Sequence, residues 1–151
     1  TRAILFTCSA FGPAIEAVKA DLPIPVMRPN EAAFTEALEM GERIALVVTF
    51  APSLPALTRE LQEMAQARGR DVQITPVLAD GALAALKAGD GAGHDDAVLS
   101  ACAGLGPLDA IVLGQFSLAR AARVLQPQAA CPVVTTPDSA VRALRRMVLN
   151  A

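Results

Sequence analysis

Charge, histidine and clustered cysteine are all scarce in this chain. Only 19% of its 151 residues are charged, and the formal net charge is −2. No basic stripe runs along the sequence, which removes the usual electrostatic footprint of nucleic-acid binding. The one dense basic cluster, Arg142, Arg145 and Arg146, falls on an expected terminal helix. Cations there complement the helix dipole, so the cluster reads as a solvated helix end, with a phosphate site as the alternative. The three cysteines, Cys8, Cys102 and Cys131, are odd in number and far apart. They suggest neither a disulfide framework nor a zinc site, and a reducing compartment, the cytoplasm, fits them best. The single histidine, His94, stands in a Gly-rich stretch beside Asp95 and Asp96. One imidazole and two adjacent carboxylates make a poor metal site, and Asp95 reads instead as a helix cap. Neither a Gly-rich dinucleotide fingerprint nor a phosphate loop follows any apolar run.

Apolar runs of membrane-spanning length are missing as well. The longest, residues 44–51, is interrupted by Thr49 and suits a buried strand. No secretory signal is visible. The chain opens Thr1-Arg2-Ala3 without a methionine and enters a strand at once, so its start reads as trimmed.

What the chain has in quantity is apolar residues, 53% of the total, enough for one domain with a real core. Apolar runs alternate with helical patterns. Strands are expected at residues 3–7, 24–27, 43–49, 72–78, 110–113 and 132–135. Helices are expected at 13–20, 53–68, 81–86, 95–103, 117–125 and 137–149, and from a cap at Asn30 to Met40, with Gly41 and Gly69 as stops. The segment Gly89-Asp90-Gly91-Ala92-Gly93 is the most loop-like in the chain. Continuous apolar strands alternating with helices predict an α/β fold with parallel sheets covered by helices on both faces. Ligands in such sheets bind beyond the carboxyl ends of the strands.

Two features recur at those strand ends. Residues 3–8 can be laid on 110–115, and Val47-Val48-Thr49 with Ser53 on Val133-Val134-Thr135 with Ser139, in the same order. This echo suggests two related α/β halves facing each other across a cleft.

The segment Thr7-Cys8-Ser9-Ala10-Phe11-Gly12-Pro13 places a thiol between a strand end and a helix N-terminus. Amide N–H groups are unpaired there and the dipole is positive, and both favour thiolate. The same amides, with the hydroxyls of Thr7 and Ser9, can hold a carboxylate. A thiolate beside a bound carboxylate can take a proton from the adjacent carbon. The alternative is a buried, inert cysteine.

Gly114-Gln115-Phe116-Ser117 occupies the matching strand end. Gln115 donates and accepts hydrogen bonds but cannot shuttle protons, and it reads either as a polar close to the strand or as a substrate contact. Thr49 with Ser53, and Thr135 with Thr136 and Ser139, lie where hydroxyls commonly cap the next helix. Cys102 and Cys131 read as core or near-core residues.

Leu5-Phe6-Thr7-Cys8-Ser9-Ala10-Phe11-Gly12 resembles the first-cysteine motif of the aspartate/glutamate/hydantoin racemase superfamily. Leu108-Asp109-Ala110-Ile111-Val112-Leu113-Gly114-Gln115 resembles its second motif, Asp-Ala-Ile-Val-Leu-Gly-Cys. Gly41-Glu42-Arg43-Ile44-Ala45-Leu46-Val47-Val48-Thr49 and Pro132-Val133-Val134 resemble the strands between and after them. The order and spacing agree along nearly the whole chain.

The resemblance implies two pseudo-symmetric lobes with the active site between them. Residues 1–40 and 132–151 would form what is present of the first lobe, and 41–131 the second. It implies two cysteines on opposite sides of a substrate α-carbon, no cofactor and no metal. Carried over, it makes Cys8 catalytic and Thr7, Ser9, Thr49, Gln115 and Phe116 cleft residues that bind substrate.

This sequence departs from the pattern twice. Gln115 stands where the second cysteine belongs, so one face has no acid or base. The leading β–α–β–α segment before the first cysteine is absent, which would leave the first lobe incomplete and Cys8 exposed. Cys102 does not replace the missing thiol, because it falls on the preceding helix.

The expected function is therefore a racemase-like isomerase acting through Cys8 on a small carboxylate or amino-acid derivative, without the standard second thiol. A single-cysteine decarboxylase of the arylmalonate type and a non-catalytic binding protein are the alternatives. The expected partner is a small-molecule carboxylate rather than nucleic acid or membrane, and the oligomeric state, a homo-oligomer included, stays open.

Overall fold

Residues 43–48 and 110–113 are apolar without interruption, and such segments are stable only where both faces of a strand are covered. The structure, a computed structural model, describes residues 1–8 and 11–149 and places these two segments side by side at its centre. They are β3 (Arg43–Val48) and β5 (Ala110–Leu113), paired in parallel with Ile44 opposite Ala110 and Val47 opposite Leu113. β4 (Gln73–Leu78) adds to the free edge of β3, and β6 (Val133–Thr135) to that of β5. The resulting four-stranded parallel sheet has the order β4-β3-β5-β6. A smaller two-stranded parallel sheet pairs β1 (Ile4–Leu5) with β2 (Val26–Met27).

Alternate residues of the central strands face opposite sides. Ile44, Leu46, Val48, Ala110, Val112 and Val134 pack against α2 (Glu31–Met40) and α3 (Leu54–Ala67) through Phe34, Leu38, Leu57 and Leu61. Ala45, Val47, Ile111 and Leu113 face the other way, toward Ala82 of α4 (Ala82–Lys87), Val98 of α5 (Gly91–Cys102) and Leu118. Two short helices follow β5, a 3₁₀ turn at Phe116–Ala121 and α6 (Ala122–Leu125). α1 (Gly12–Asp21) follows β1, and α7 (Thr136–Leu149) closes the chain against α2. None of the described helices is long and apolar enough to cross a membrane.

Strand order decides where a ligand can sit. From β3 the chain passes to β4 on one side and later returns to β5 on the other, so β3 and β5 flank a topological switch point. A crevice opens beyond their carboxyl ends. Those ends carry Thr49 and Gln115.

At the opposite end the same two strands are clasped by Asp109. Its carboxylate accepts the main-chain N–H groups of Glu42 and Arg43 at 3.0 and 2.9 Å, and the Arg43 guanidinium at 2.6 Å. The side-chain bond from Arg43, with the two main-chain bonds, holds the Asp109 carboxyl well below the usual carboxylate range.

Four expectations are corrected by the structure. The Gly-rich segment 89–93 is not a loop: α5 begins at Gly91, because Asp90 caps it by accepting the Gly93 N–H at 2.8 Å. Asp95 is therefore not a cap but a buried residue inside the helix. Asn30 stands at the N-terminus of α2 yet makes no side-chain cap bond. Residues 117–121 form a 3₁₀ rather than an α-helical turn. β6 itself pairs with β5 in the larger sheet, while α7, which follows it, packs against α2.

The expected capping at Thr135 is present in reciprocal form. Its hydroxyl donates to the Asp138 carboxylate at 2.5 Å and receives the Asp138 N–H at 3.4 Å.

Buried charge fixes the segment after β5. Asp95 accepts from Arg120 at 2.9 Å and Arg123 at 3.2 Å, and lies 2.9 Å from Nδ1 of the fully buried His94. Burial opposes ionisation of Asp95, but the bonds from Arg120, His94 and Arg123 outweigh it and lower its pKa to about 2. Since Asp95 ionises more readily folded than unfolded, its contribution is complete above about pH 4 and is lost as pH falls through 2. With both arginines part-exposed, that contribution is about 1–2 kcal/mol.

Asp95→Asn is expected to flatten the fall of Tm between pH 4 and pH 2, measured by thermal denaturation across that range. It also weakens the fold at pH 7 by about 1–2 kcal/mol. Gly41→Ala would place a Cβ 2.3 Å from Asp109 Cβ. A stability loss of about 1–3 kcal/mol in denaturant titration is expected, because the clasp must shift to admit it. An unchanged midpoint would show that Asp109 does not join the strands as described.

Candidate active site

Beyond β1 the chain exposes Thr7 and Cys8 on the approach to α1. The exposure removes the buried-cysteine alternative. Pro13 in the first turn of α1 suits a position whose N–H has no partner within the helix. Ser9, the third member of the expected motif, lies outside the described residues.

Across the crevice, Gly114 follows the last residue of β5. Its N–H donates to the Val47 carbonyl at 2.8 Å. A Cβ there would lie 3.0 Å from Leu46 Cδ1 and 3.2 Å from the Val47 carbonyl oxygen. Glycine thus lets the strand ends approach closely, and Gln115 reaches Thr49.

Oε1 of Gln115 accepts the Thr49 main-chain N–H at 2.7 Å and the Thr49 hydroxyl at 2.9 Å. A main-chain N–H only donates, so the oxygen of Gln115 must face Thr49 and its NH₂ group is left for other partners. Thr49, buried by this contact, spends its hydroxyl on Gln115 rather than on capping α3. Ser53 does not cap α3 either: its hydroxyl donates back to the Phe50 carbonyl at 2.7 Å.

Two cavities meet around these groups. One, of about 300 Å³, is lined by Thr7, Cys8, Asn30, Gln115, Phe116 and Ser117 among others. The second, of about 740 Å³, is also lined by Cys8 and Gln115, and extends between α1 and α3 past Arg28 and Glu60. Of the residues expected to form a site, Thr7, Cys8, Gln115 and Phe116 therefore share one hollow, and Thr49 stands behind Gln115.

The larger cavity carries charge. Arg28 lies 3.2 Å from Glu16 and 3.7 Å from Glu60. Burial raises the Glu60 carboxyl above its usual pKa, and Arg28 only partly offsets it. The smaller cavity carries no charged side chain among its lining residues. It offers hydroxyls, two side-chain amides and a thiol.

Sequence reasoning did not find Asn30, Arg28 or Glu60 as lining residues. Asn30 was legible only as a helix cap. Its Nδ2 is buried with no acceptor among the described residues, a state that costs roughly 1–3 kcal/mol. The other two thiols lie apart, beside a different cavity with Leu105, Ile111 and Leu125. Burial pushes the Cys102 thiol up to about 11, and burial together with Asp109 raises Cys131.

These environments order the thiols by reactivity, since attack requires an accessible thiolate. Iodoacetamide at pH 7.5 is expected to label Cys8 first, with Cys102 and Cys131 following at least about tenfold more slowly. Peptide mass spectrometry over a time course reads the order. Equal rates at all three would remove the distinction drawn from burial.

The fold has known counterparts. An allantoin racemase from Klebsiella pneumoniae superposes with a TM-score of 0.75 at 24% identity, over 99% of this chain and 60% of that one. A glutamate racemase from Bacillus anthracis superposes with a TM-score of 0.73 at 14% identity, over 99% of this chain and 58% of that one. An allantoin racemase from Pseudomonas fluorescens gives 0.69 at 21% identity, over 90% and 57%. At these identities the likeness concerns the fold, and the chain spans about three-fifths of the length of those structures. No curated protein matches the sequence. The sequence profile of the Asp/Glu/hydantoin racemase family, however, matches residues 1–144, and the chain belongs to that family.

Proposed function

We propose that the chain carries a cofactor-independent proton-transfer site acting at the α-carbon of a small carboxylate or amino-acid derivative, with Cys8 as its base and acid. One observation carries this reading: the exposed Cys8 faces the same cavity as Gln115, an amide fixed by Thr49. In the forward step, the Cys8 thiolate takes the α-hydrogen, forming an S–H bond and leaving the electron pair on carbon as an enolate. In the reverse step, the same thiol returns a proton to that carbon. Donors around the cavity, including the Gln115 NH₂, favour the enolate oxygen as charge builds there.

Gln115 cannot deliver a proton, so Cys8 serves one face of the carbon and the opposite face has no acid among the lining residues of the smaller cavity. The expected outcome is α-hydrogen exchange that outpaces inversion. The same observation favours a second reading, a lyase in which loss of carbon dioxide creates the carbanion and Cys8 alone protonates it.

The structural neighbours supply the first compounds to try. Incubation of the chain with L-glutamate or one enantiomer of allantoin in D₂O, followed by proton NMR and chiral chromatography, separates the readings. Deuterium incorporation with retained configuration supports the one-sided site, and an arylmalonate that loses carbon dioxide with deuterium uptake supports the lyase. Cys8→Ser is expected to reduce exchange by roughly 10²- to 10⁴-fold. Gln115→Cys is expected to raise inversion relative to exchange, by giving the second face a thiol. Exchange that survives Cys8→Ser undiminished overturns the assignment.

A further inference from the structure

We infer that Asn30 is a ligand-recognition residue of the Cys8–Gln115 cavity, its side-chain amide donating to a carbonyl or carboxylate oxygen of the bound molecule. The inference rests on reading that cavity as a ligand site, and not on the reaction performed there.

Asparagine at the head of a helix normally turns its side chain onto the next N–H groups. Asn30 does not: no side-chain cap bond forms, although its carbonyl accepts the Phe34 N–H at 2.9 Å and starts α2. The residue is only 2% exposed, so water does not replace the missing partner at the surface. Its Nδ2 is both buried and without an acceptor among the described residues. Buried amides are almost always paired, and an orphaned one on a residue that lines a cavity is a donor that a bound molecule can satisfy.

The surroundings set the partner's chemistry. Asn30 lines the cavity with Thr7, Cys8, Gln115 and Ser117. Nδ2 only donates, so its partner is an acceptor. α2 is a ten-residue helix, and its first-turn N–H groups and positive dipole end favour the same kind of oxygen. Among the described residues no cationic side chain lines this cavity, so recognition proceeds through neutral donors. Such a wall accepts a carboxylate or a ureide carbonyl, and Asn30 would decide how the group is turned toward Cys8.

Titration calorimetry of the chain with L-glutamate, which offers carboxylates, and with allantoin, which offers ureide carbonyls, tests the assignment. Saturable binding of at least one is expected. Asn30→Ala is expected to raise its Kd roughly 10- to 100-fold while Tm stays level or rises, because an unpaired buried donor has been removed. Asn30→Asp is expected to keep the fold, since a helix N-terminus favours negative charge, but to lose the ligand by replacing a donor with an acceptor.

A structural cap would behave in the opposite way: Asn30→Ala would lower Tm and leave Kd unchanged, which overturns the inference. Failure of both compounds to bind the unaltered chain overturns it too. If binding depends on Asn30 but no α-hydrogen exchange occurs, the Cys8 chemistry falls and the recognition role stands. If exchange proceeds in Asn30→Ala with an unaltered KM, the recognition role falls and the Cys8 chemistry stands.

Discussion

Thr49 gives both its main-chain N–H and its hydroxyl to a single oxygen of Gln115, and this pair of bonds joins the carboxyl ends of the two innermost strands. Everything around the crevice depends on that junction. β3 and β5 are held in register along their length by their main chains, and at their amino ends by Asp109. Gly114 allows the last residues of β5 to close on β3. Gln115 is consequently oriented by main chain rather than by loop packing. A group held in this way presents one fixed end to the cavity, as preorganised recognition requires.

The two hollows beside Cys8 differ in character. The smaller is walled by neutral donors and acceptors, the larger by Arg28 and a set of carboxylates around it. A molecule spanning both would meet amides and hydroxyls near the thiol and charge farther away. The segment that carries Phe116 and Ser117 is anchored from behind by Asp95, whose two arginine partners tie it to α5.

Much of this was legible in the sequence, for identifiable reasons. β5 begins and ends where expected because an unbroken apolar run is bounded by Asp109 and Gly114, residues with jobs of their own at its two ends. Counting along the β–α alternation places Gln115 just past β5, where the switch between β3 and β5 brings it to Thr49, and places Cys8 between β1 and α1, from where it reaches the same cavity. The Gly-rich start of α5 was misread because local propensity argued for a loop. A cap from Asp90 and the burial of His94 and Asp95 supplied what the glycines lack. Asn30 shows a deeper limit. Residue type announces that a side chain can cap, but only tertiary packing shows that it turns away. Arg28 follows β2 and Glu60 lies in α3, and no spacing rule connects them.

The amide at Gln115 also bears on how easily such a site could change its chemistry. Glutamine and glutamate are nearly the same shape. With one side-chain oxygen pinned by Thr49, the second terminal atom is the only one that differs between them. Glu at this position would therefore inherit a ready-made seat, with an ionisable oxygen where the NH₂ now lies. On the proposed reading, the face of the cavity opposite Cys8 would then be a single-residue step from a proton carrier of its own, with the backbone that aims it already in place.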